Sequence, residues 1–261
     1  CLLSSLARAD YGCAQVDLHI NLDHVVSTSS GFSSVAASRC LKRATRFSWP
    51  HGQKWVFRRI SHVGLSQSWF EVPYATGHDY VAIFEDDMEV HRDFFKVFSW
   101  LDLNGSFSSQ NIQGFCLHPN DWDVQVDTAC EQQNFSKFLY LSPEPCNWGP
   151  IWKYKEWEKY IDWVHTLKAS STLPFVPEDI SLEYNDFIRA NKDVQSSWVW
   201  RYNFEKAKLS VRYSFARRDV RQSESYLAIN HKEPGVHFAQ KMKLHNTPGL
   251  LKKSVSRAFH S

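Results

Sequence analysis

In "VDLHINLD", Val16, Leu18, Ile20 and Leu22 alternate with Asp17, His19 and Asn21, a period of two that predicts a strand ending at Asp23. The period then lengthens. "FSSVAASRCLKRA" reads as a helix and "KWVFRRI" as a strand, and Gly64 opens "GLSQSWFEVPYA" with Leu65, Trp69 and Val72 at helical spacing. Residues 80–84, "YVAIF", are all apolar or aromatic, which predicts a strand covered on both faces, as at the centre of a parallel sheet. "RDFFKVFSWL" returns to helical spacing, with Phe94, Phe98 and Leu101 on one side. Strands and helices in alternation predict an α/β fold with a mostly parallel sheet and flanking helices.

The second half is less regular. "IQGFCL" and "KFLYLS" read as strands on either side of the polar run "NDWDVQVDTACEQQN". Prolines and glycine make "PEPCNWGP" a loop. "KYKEWEKYIDWVHTL" is an amphipathic helix with Tyr154, Trp157, Ile161 and Val164 in register. "PEDISLEYNDFIRAN" and "SSWVWRYNFEKAKL" read as two more helices, and "SVRYSF" and "SYLAIN" as short strands. No repeat and no linker divides the chain, so residues 1–261 are expected to form one domain.

A hydrophobic share of 43% over 261 residues is ample for a full core, and a net charge of +2 gives no argument for nucleic acid or an acidic membrane as the main partner. No stretch approaches the roughly 20 apolar residues that cross a bilayer. The chain opens on Cys1 and passes at once into a helical "LLSSLA", so further residues, with any signal or anchor, are expected upstream. The six cysteines include no C-x-x-C pair. Cys116, Cys130 and Cys146 share one irregular region, where an oxidising compartment would pair two of them and a reducing one would leave buried thiols. The sequons Asn104-Gly-Ser106 and Asn134-Phe-Ser136 are compatible with a secretory lumen.

The chemistry concentrates where "YVAIF" runs into Glu85, Asp86 and Asp87. Three adjacent carboxylates repel one another. Either they sit in a solvated turn or they hold a cation, and oxygen-only acidic clusters suit Mg²⁺ or Mn²⁺ with positions left for a substrate phosphate. Ligands of open α/β sheets bind beyond the carboxyl ends of the strands, the rim on which this triplet and Asp23 are expected to lie.

"LLSSLARADYGCAQVDLHINLD", "WPHGQKWVFRRISHVGLSQSW" and "VAIFEDDMEVHRDFFKVF", in that order, resemble the nucleotide-sugar half of GT-A fold glycosyltransferases. Closest in style are the β-1,2-N-acetylglucosaminyltransferases of N-glycan and O-mannose synthesis and related family-2-like transferases. "EDDMEVHRDFF" matches their acidic signature and following helix, and "SYLAINHKEPGVHF" is similar to their closing segment. The resemblance is weak from about 118 to 195. It implies a GT-A fold whose first strand is missing here, with 1–117 binding the nucleotide sugar and 118–261 binding the acceptor. It also implies a Golgi or secretory lumen. Asp87 would coordinate Mn²⁺ or Mg²⁺ bridging the diphosphate of a donor such as a UDP-sugar. Glu85 and Asp86 would contact ribose or the metal's water shell, and Asp23 the uracil or ribose. His237 would reach the diphosphate or metal, or else serve as a structural hydrogen-bonder.

An inverting transferase needs a carboxylate base, which the family carries in a Trp-Asp-Asp-Trp segment. The matching stretch here is "SSWVWRYNFE", where Val199 stands between Trp198 and Trp200, so Asp193 and Glu205 become the candidates, with Glu183 and Asp186 behind them. As an ordinary helix carboxylate, each would simply be solvated. Trp148 and Gly149 could form a platform for a glycan acceptor, or lie as a core tryptophan under a loop. His51 and Gly52 read as a turn. Two other readings stand beside the enzyme: a non-catalytic carbohydrate-binding or scaffold domain, and a phosphoesterase, disfavoured for want of a second ligand cluster.

Overall fold

The pairing of "YVAIF" decides the architecture. The computed structural model describes residues 2–24, 34–71, 77–117, 139–142, 146, 148–170, 195–213 and 228–230. In chain order these form α1 (Leu2–Arg8), β1 (Leu18–Leu22), α2 (Ser34–Arg46), β2 (Lys54–Arg58), α3 (Gly64–Phe70), β3 (Tyr80–Ala82), β4 (Met88–Val90) and α4 (Phe94–Leu103). There follow β5 (Ile112–Cys116), β6 (Leu139–Ser142), β7 (Pro150–Lys153), α5 (Tyr154–Ala169), α6 (Gln195–Lys206), β8 (Leu209–Tyr213) and β9 (Ala228–Asn230). The expected helix "PEDISLEYNDFIRAN" lies outside the described residues.

The chain is mixed α/β and divides into two compact units, neither of them a contiguous half. The first comprises Cys1–Asp10, Asp79–Glu158 and Tyr202–Ser261, and the second Tyr11–His78 and Lys159–Arg201.

The first unit is built on a five-stranded sheet of order β3-β7-β5-β8-β6. Its strands are mixed, whereas their alternation with helices along the sequence predicts a mostly parallel sheet. β7 runs antiparallel to both β3 and β5, and β6 antiparallel to β8, while β5 and β8 pair in parallel. β3, β5 and β8 therefore point the same way, and β7 lies reversed between the first two. β3 is not a central strand either: among the described strands it bonds only to β7, and its residues are half-buried or exposed. The fully buried strand is β5, all five of whose residues are buried.

Gly114 explains how β5 and β7 come so close. A Cβ there would lie 2.0 Å from the Ile151 carbonyl oxygen and 2.8 Å from the Trp152 Cα, and the β5–β8 register shifts beside it, between Ile112 and Gly114. The apolar side of α4 (Phe94, Val97, Phe98 and Leu101) is buried, with Phe98 ringed by Tyr80, Phe107 and Phe115. The Ser5 hydroxyl on α1 donates to the Leu2 carbonyl (2.8 Å) and accepts from the Val90 N–H (3.1 Å), tying that helix to β4.

In the second unit, β1 and β2 pair in parallel from Leu18↔Lys54 to Leu22↔Arg58. Lys54 Nζ donates to the carbonyls of Ala44, Thr45 and Phe47 at 2.6–3.0 Å, closing the C-terminus of α2. Phe70, Tyr160, Trp163 and Trp198 form an aromatic cluster, with Lys168 Nζ 4.4 Å from the Phe70 ring centre.

Candidate functional site

The sheet of the first unit gathers the acids and the Trp-Gly pair on one edge. Because β3 and β5 both run antiparallel to β7, the carboxyl ends of β3 and β5 lie beside the start of β7. The ladder continues past the strands: Ile83 N–H donates to the Pro150 carbonyl (3.0 Å) and Leu117 N–H to the Gly149 carbonyl (3.2 Å). Glu85, Asp86 and Asp87 follow β3 at this edge, and Trp148 and Gly149 precede β7 there.

Glu85 to Met88 form a turn, closed by the Met88 N–H on the Glu85 carbonyl at 3.1 Å. Within it the three acids differ. Asp86 is exposed, whereas Glu85 and Asp87 are half-buried. Asp87 Oδ1 is buried and accepts no hydrogen bond from any described residue. A carboxylate oxygen withdrawn from water without a donor is unfavourable unless something else supplies positive charge. The turn is also held from its far side, where β4 pairs antiparallel with β9 so that Asn230 faces Met88, the residue after Asp87. His237, downstream of β9, lies outside the described residues.

The Trp148–Gly149 turn is fastened by a disulfide between Cys116, the last residue of β5, and Cys146. Gly149 has φ +69°, a left-handed backbone that glycine adopts without a steric cost. Trp148 is half-buried and Gly149 buried.

Glu205 is not brought to this edge. It is exposed on α6, four residues before β8 begins, and β8 runs parallel to β5, so the start of β8 lies at the opposite edge from the acidic turn. There Lys208 donates to the Gln110 carbonyl (2.7 Å) and pairs with Glu156 at 2.8 Å, and burial, with Glu156 nearby, pushes the Tyr202 hydroxyl up to about 12. Asp193, Glu183 and Asp186 lie outside the described residues. Trp198 and Val199 are buried in the second unit.

Asp23, also in the second unit, is engaged by its own chain. Oδ1 accepts from the His24 N–H (2.7 Å) and the Val63 N–H (3.1 Å), Oδ2 accepts from the Gly64 N–H (3.1 Å), and His62 Nδ1 stands 2.8 Å from Oδ2. Burial pulls its pKa upward, but the three backbone donors together with His62 outweigh that and hold it below the ordinary carboxylate value. The bond to Gly64 joins the end of β1 to the first residue of α3. His51 and Gly52 form the expected turn, in which a Cβ on Gly52 would lie 2.4 Å from the Val16 carbonyl oxygen.

Among the described residues no three His, Cys, Asp or Glu side chains group as a metal cage. A single carboxylate is still compatible with Mg²⁺ or Mn²⁺, which are commonly held by one or two carboxylates, waters and the substrate's own phosphates. The bare Asp87 Oδ1 fits that mode. No helix among the described residues is long and apolar enough to cross a membrane. No protein-family model matches the chain, and no curated protein matches it in sequence.

Proposed function

We propose that the chain is the catalytic domain of a metal-dependent glycosyltransferase of GT-A type, moving a sugar from a nucleotide donor, UDP-linked in the first instance, to a glycan acceptor. The observation that carries this reading is the buried Asp87 Oδ1, which finds no donor among the described residues, set in a turn at the carboxyl edge of the sheet. When bound there, Mn²⁺ or Mg²⁺ would supply positive charge for the departing diphosphate. Asp87 would fix that charge against the sheet edge, and Glu85 and Asp86 would orient the donor around it. Trp148, presented on the same edge, would offer its indole face to the acceptor sugar. With Glu205 at the other edge, Asp193 is the candidate we assign to take the acceptor proton. The disulfide supports a secretory or Golgi lumen, since such bonds persist in oxidising compartments.

The test is calorimetry on the full-length protein with Mn²⁺ and uridine diphosphate together, followed by a nucleotide-sugar screen that reads released nucleoside diphosphate. Joint uptake of metal and nucleotide, lost in Asp87→Ala, is the expected result, and the absence of joint uptake refutes the proposal. One observation favours a second reading, a carbohydrate-binding domain without catalysis: the position of the family's acid holds Val199, buried at 2% exposure. Tight nucleotide binding with no turnover of any donor would select it.

A further inference from the structure

The charge on α2 lies along one face. Arg39, Lys42, Arg43 and Arg46 stand at spacings of three, four and seven, which puts them on one stripe about 10 Å long. With Cys40 and Phe47 they line a wide-open depression of about 550 Å³ on the surface of the helix. All four cations are exposed, and none pairs with an acid among the described residues. The helix itself contains no Asp or Glu.

Two ordinary explanations account for part of this. A cation near a helix C-terminus is favoured by the backbone dipole, which explains Arg43 and Arg46 but not Arg39 or Lys42. The free carbonyls at that end are in any case already bonded by Lys54. A solvated basic face would more usually be interspersed with acids at i±4, and here there are none. Four uncompensated charges of one sign around a depression form a field complementary to a multiply charged anion. Three of the four are Arg, whose planar fork takes sulfate, phosphate or carboxylate in bidentate fashion.

The Cys116–Cys146 disulfide narrows the choice of anion. Where disulfides persist, nucleic acid is not the ordinary polyanion, and anionic phospholipid is concentrated on the cytoplasmic leaflet. We infer that the α2 depression is a docking surface for an acidic glycan, a sugar chain bearing sulfate or uronate groups. The surface shares no residue with the acidic turn, so its occupancy is measurable whether or not the chain transfers sugar.

The experiment uses the full-length protein and fluorescent heparin oligosaccharides at physiological salt. Single-stranded DNA of equal charge and phosphatidylcholine vesicles with about one-third phosphatidylserine serve as competitors. The fourfold variant Arg39→Gln, Lys42→Gln, Arg43→Gln, Arg46→Gln retains good helix formers and should keep its circular dichroism while losing at least tenfold in affinity, by analogy with the roughly tenfold or larger losses seen when several ionic contacts are screened. Cys40 gives a readout in the unaltered protein: it is an exposed thiol in the depression, and Cys13 is an exposed thiol outside it. Bound heparin should slow alkylation of Cys40 and leave Cys13 unchanged. Equal affinity of the variant, equal or tighter binding of DNA or vesicles, or unprotected Cys40 would each overturn the assignment.

Discussion

Gly149 stands against Phe84: a Cβ on the glycine would lie 3.3 Å from Phe84 Cε1, and 3.0 Å from Leu117 Cδ1. That contact seats the Trp148 turn on the strand end that leads directly into the acids. Gly149→Ala should therefore lower stability by about 1–2 kcal/mol from the left-handed backbone alone, with a further loss from crowding Leu117. Gly149→Asn carries the same Cβ but tolerates that backbone better, so it should fall between alanine and wild type. Urea midpoints at unchanged slope measure both. Alanine and asparagine variants as stable as wild type would show that the turn is not held as described.

Asp87 should oppose stability and serve function at once. In metal-free protein its buried oxygen finds no donor among the described residues, a penalty on the order of 1–3 kcal/mol. Asp87→Ala is expected to leave metal-free stability unchanged or raise it by up to about that amount. The rise in melting temperature that Mn²⁺ with uridine diphosphate gives the wild type should vanish. Glu89→Ala, two residues further on in β4, should retain it. If Asp87→Ala destabilises the metal-free protein, the carboxylate has a structural partner and the cation assignment loses its support.

Much of this was readable in the chain, and what was not has a physical cause. The helical spacing of Phe94, Phe98 and Leu101 reflects local burial, which the sequence states directly, and the period-two run before Asp23 marks a strand, although that strand is half-buried on both faces with only Asn21 exposed. β4 and β7 were not seen because three- and four-residue strands, one after a turn and one running straight into a helix, are too short to display alternation. Missing β7 carried a larger error with it. Once a reversed strand stands between β3 and β5, "YVAIF" can be apolar and still lie at the side of a mixed sheet. The sequence also offered three equivalent acids and three equivalent cysteines. Only the backbone path separates half-buried Asp87, with its buried Oδ1, from exposed Asp86, and brings Cys146 to Cys116. The direction of β8, which sets Glu205 toward the opposite edge from the acids, is likewise a tertiary fact.

The Cys116–Cys146 bond closes a loop with a sequence separation of 30. Chain-entropy reasoning gives such a crosslink about 3–4 kcal/mol, by restricting the unfolded chain. The double variant Cys116→Ser, Cys146→Ser should therefore lose roughly that much in chemical denaturation. Nucleotide uptake at the acidic turn should survive if the protein is still folded at the assay temperature, because none of the three acids hangs from the disulfide. A variant within about 1 kcal/mol of wild type would mean that the unfolded chain gains little freedom from the cut.

Stability should fall in two stages on acidification, and the sign follows from the side on which each group is held. Burial holds the His91 imidazole below its ordinary 6.5, against a smaller upward pull from Asp93. The folded state therefore keeps His91 neutral while the unfolded chain takes up a proton. Its contribution is complete above about pH 6.5 and is lost as pH falls from there through the folded value. His19, also lowered by burial, acts in the same direction. Asp23 belongs to the second stage. Its folded pKa lies below the ordinary 3.8, so its contribution is present above that value and is lost as pH falls through the folded one. Urea unfolding at successive pH values should show one decline beginning near 6.5 and a second below about 4. His91→Gln should flatten the first without moving the second, and Asp23→Asn should do the reverse. A first decline that persists unchanged when both His91 and His19 are replaced by Gln would assign it to another group.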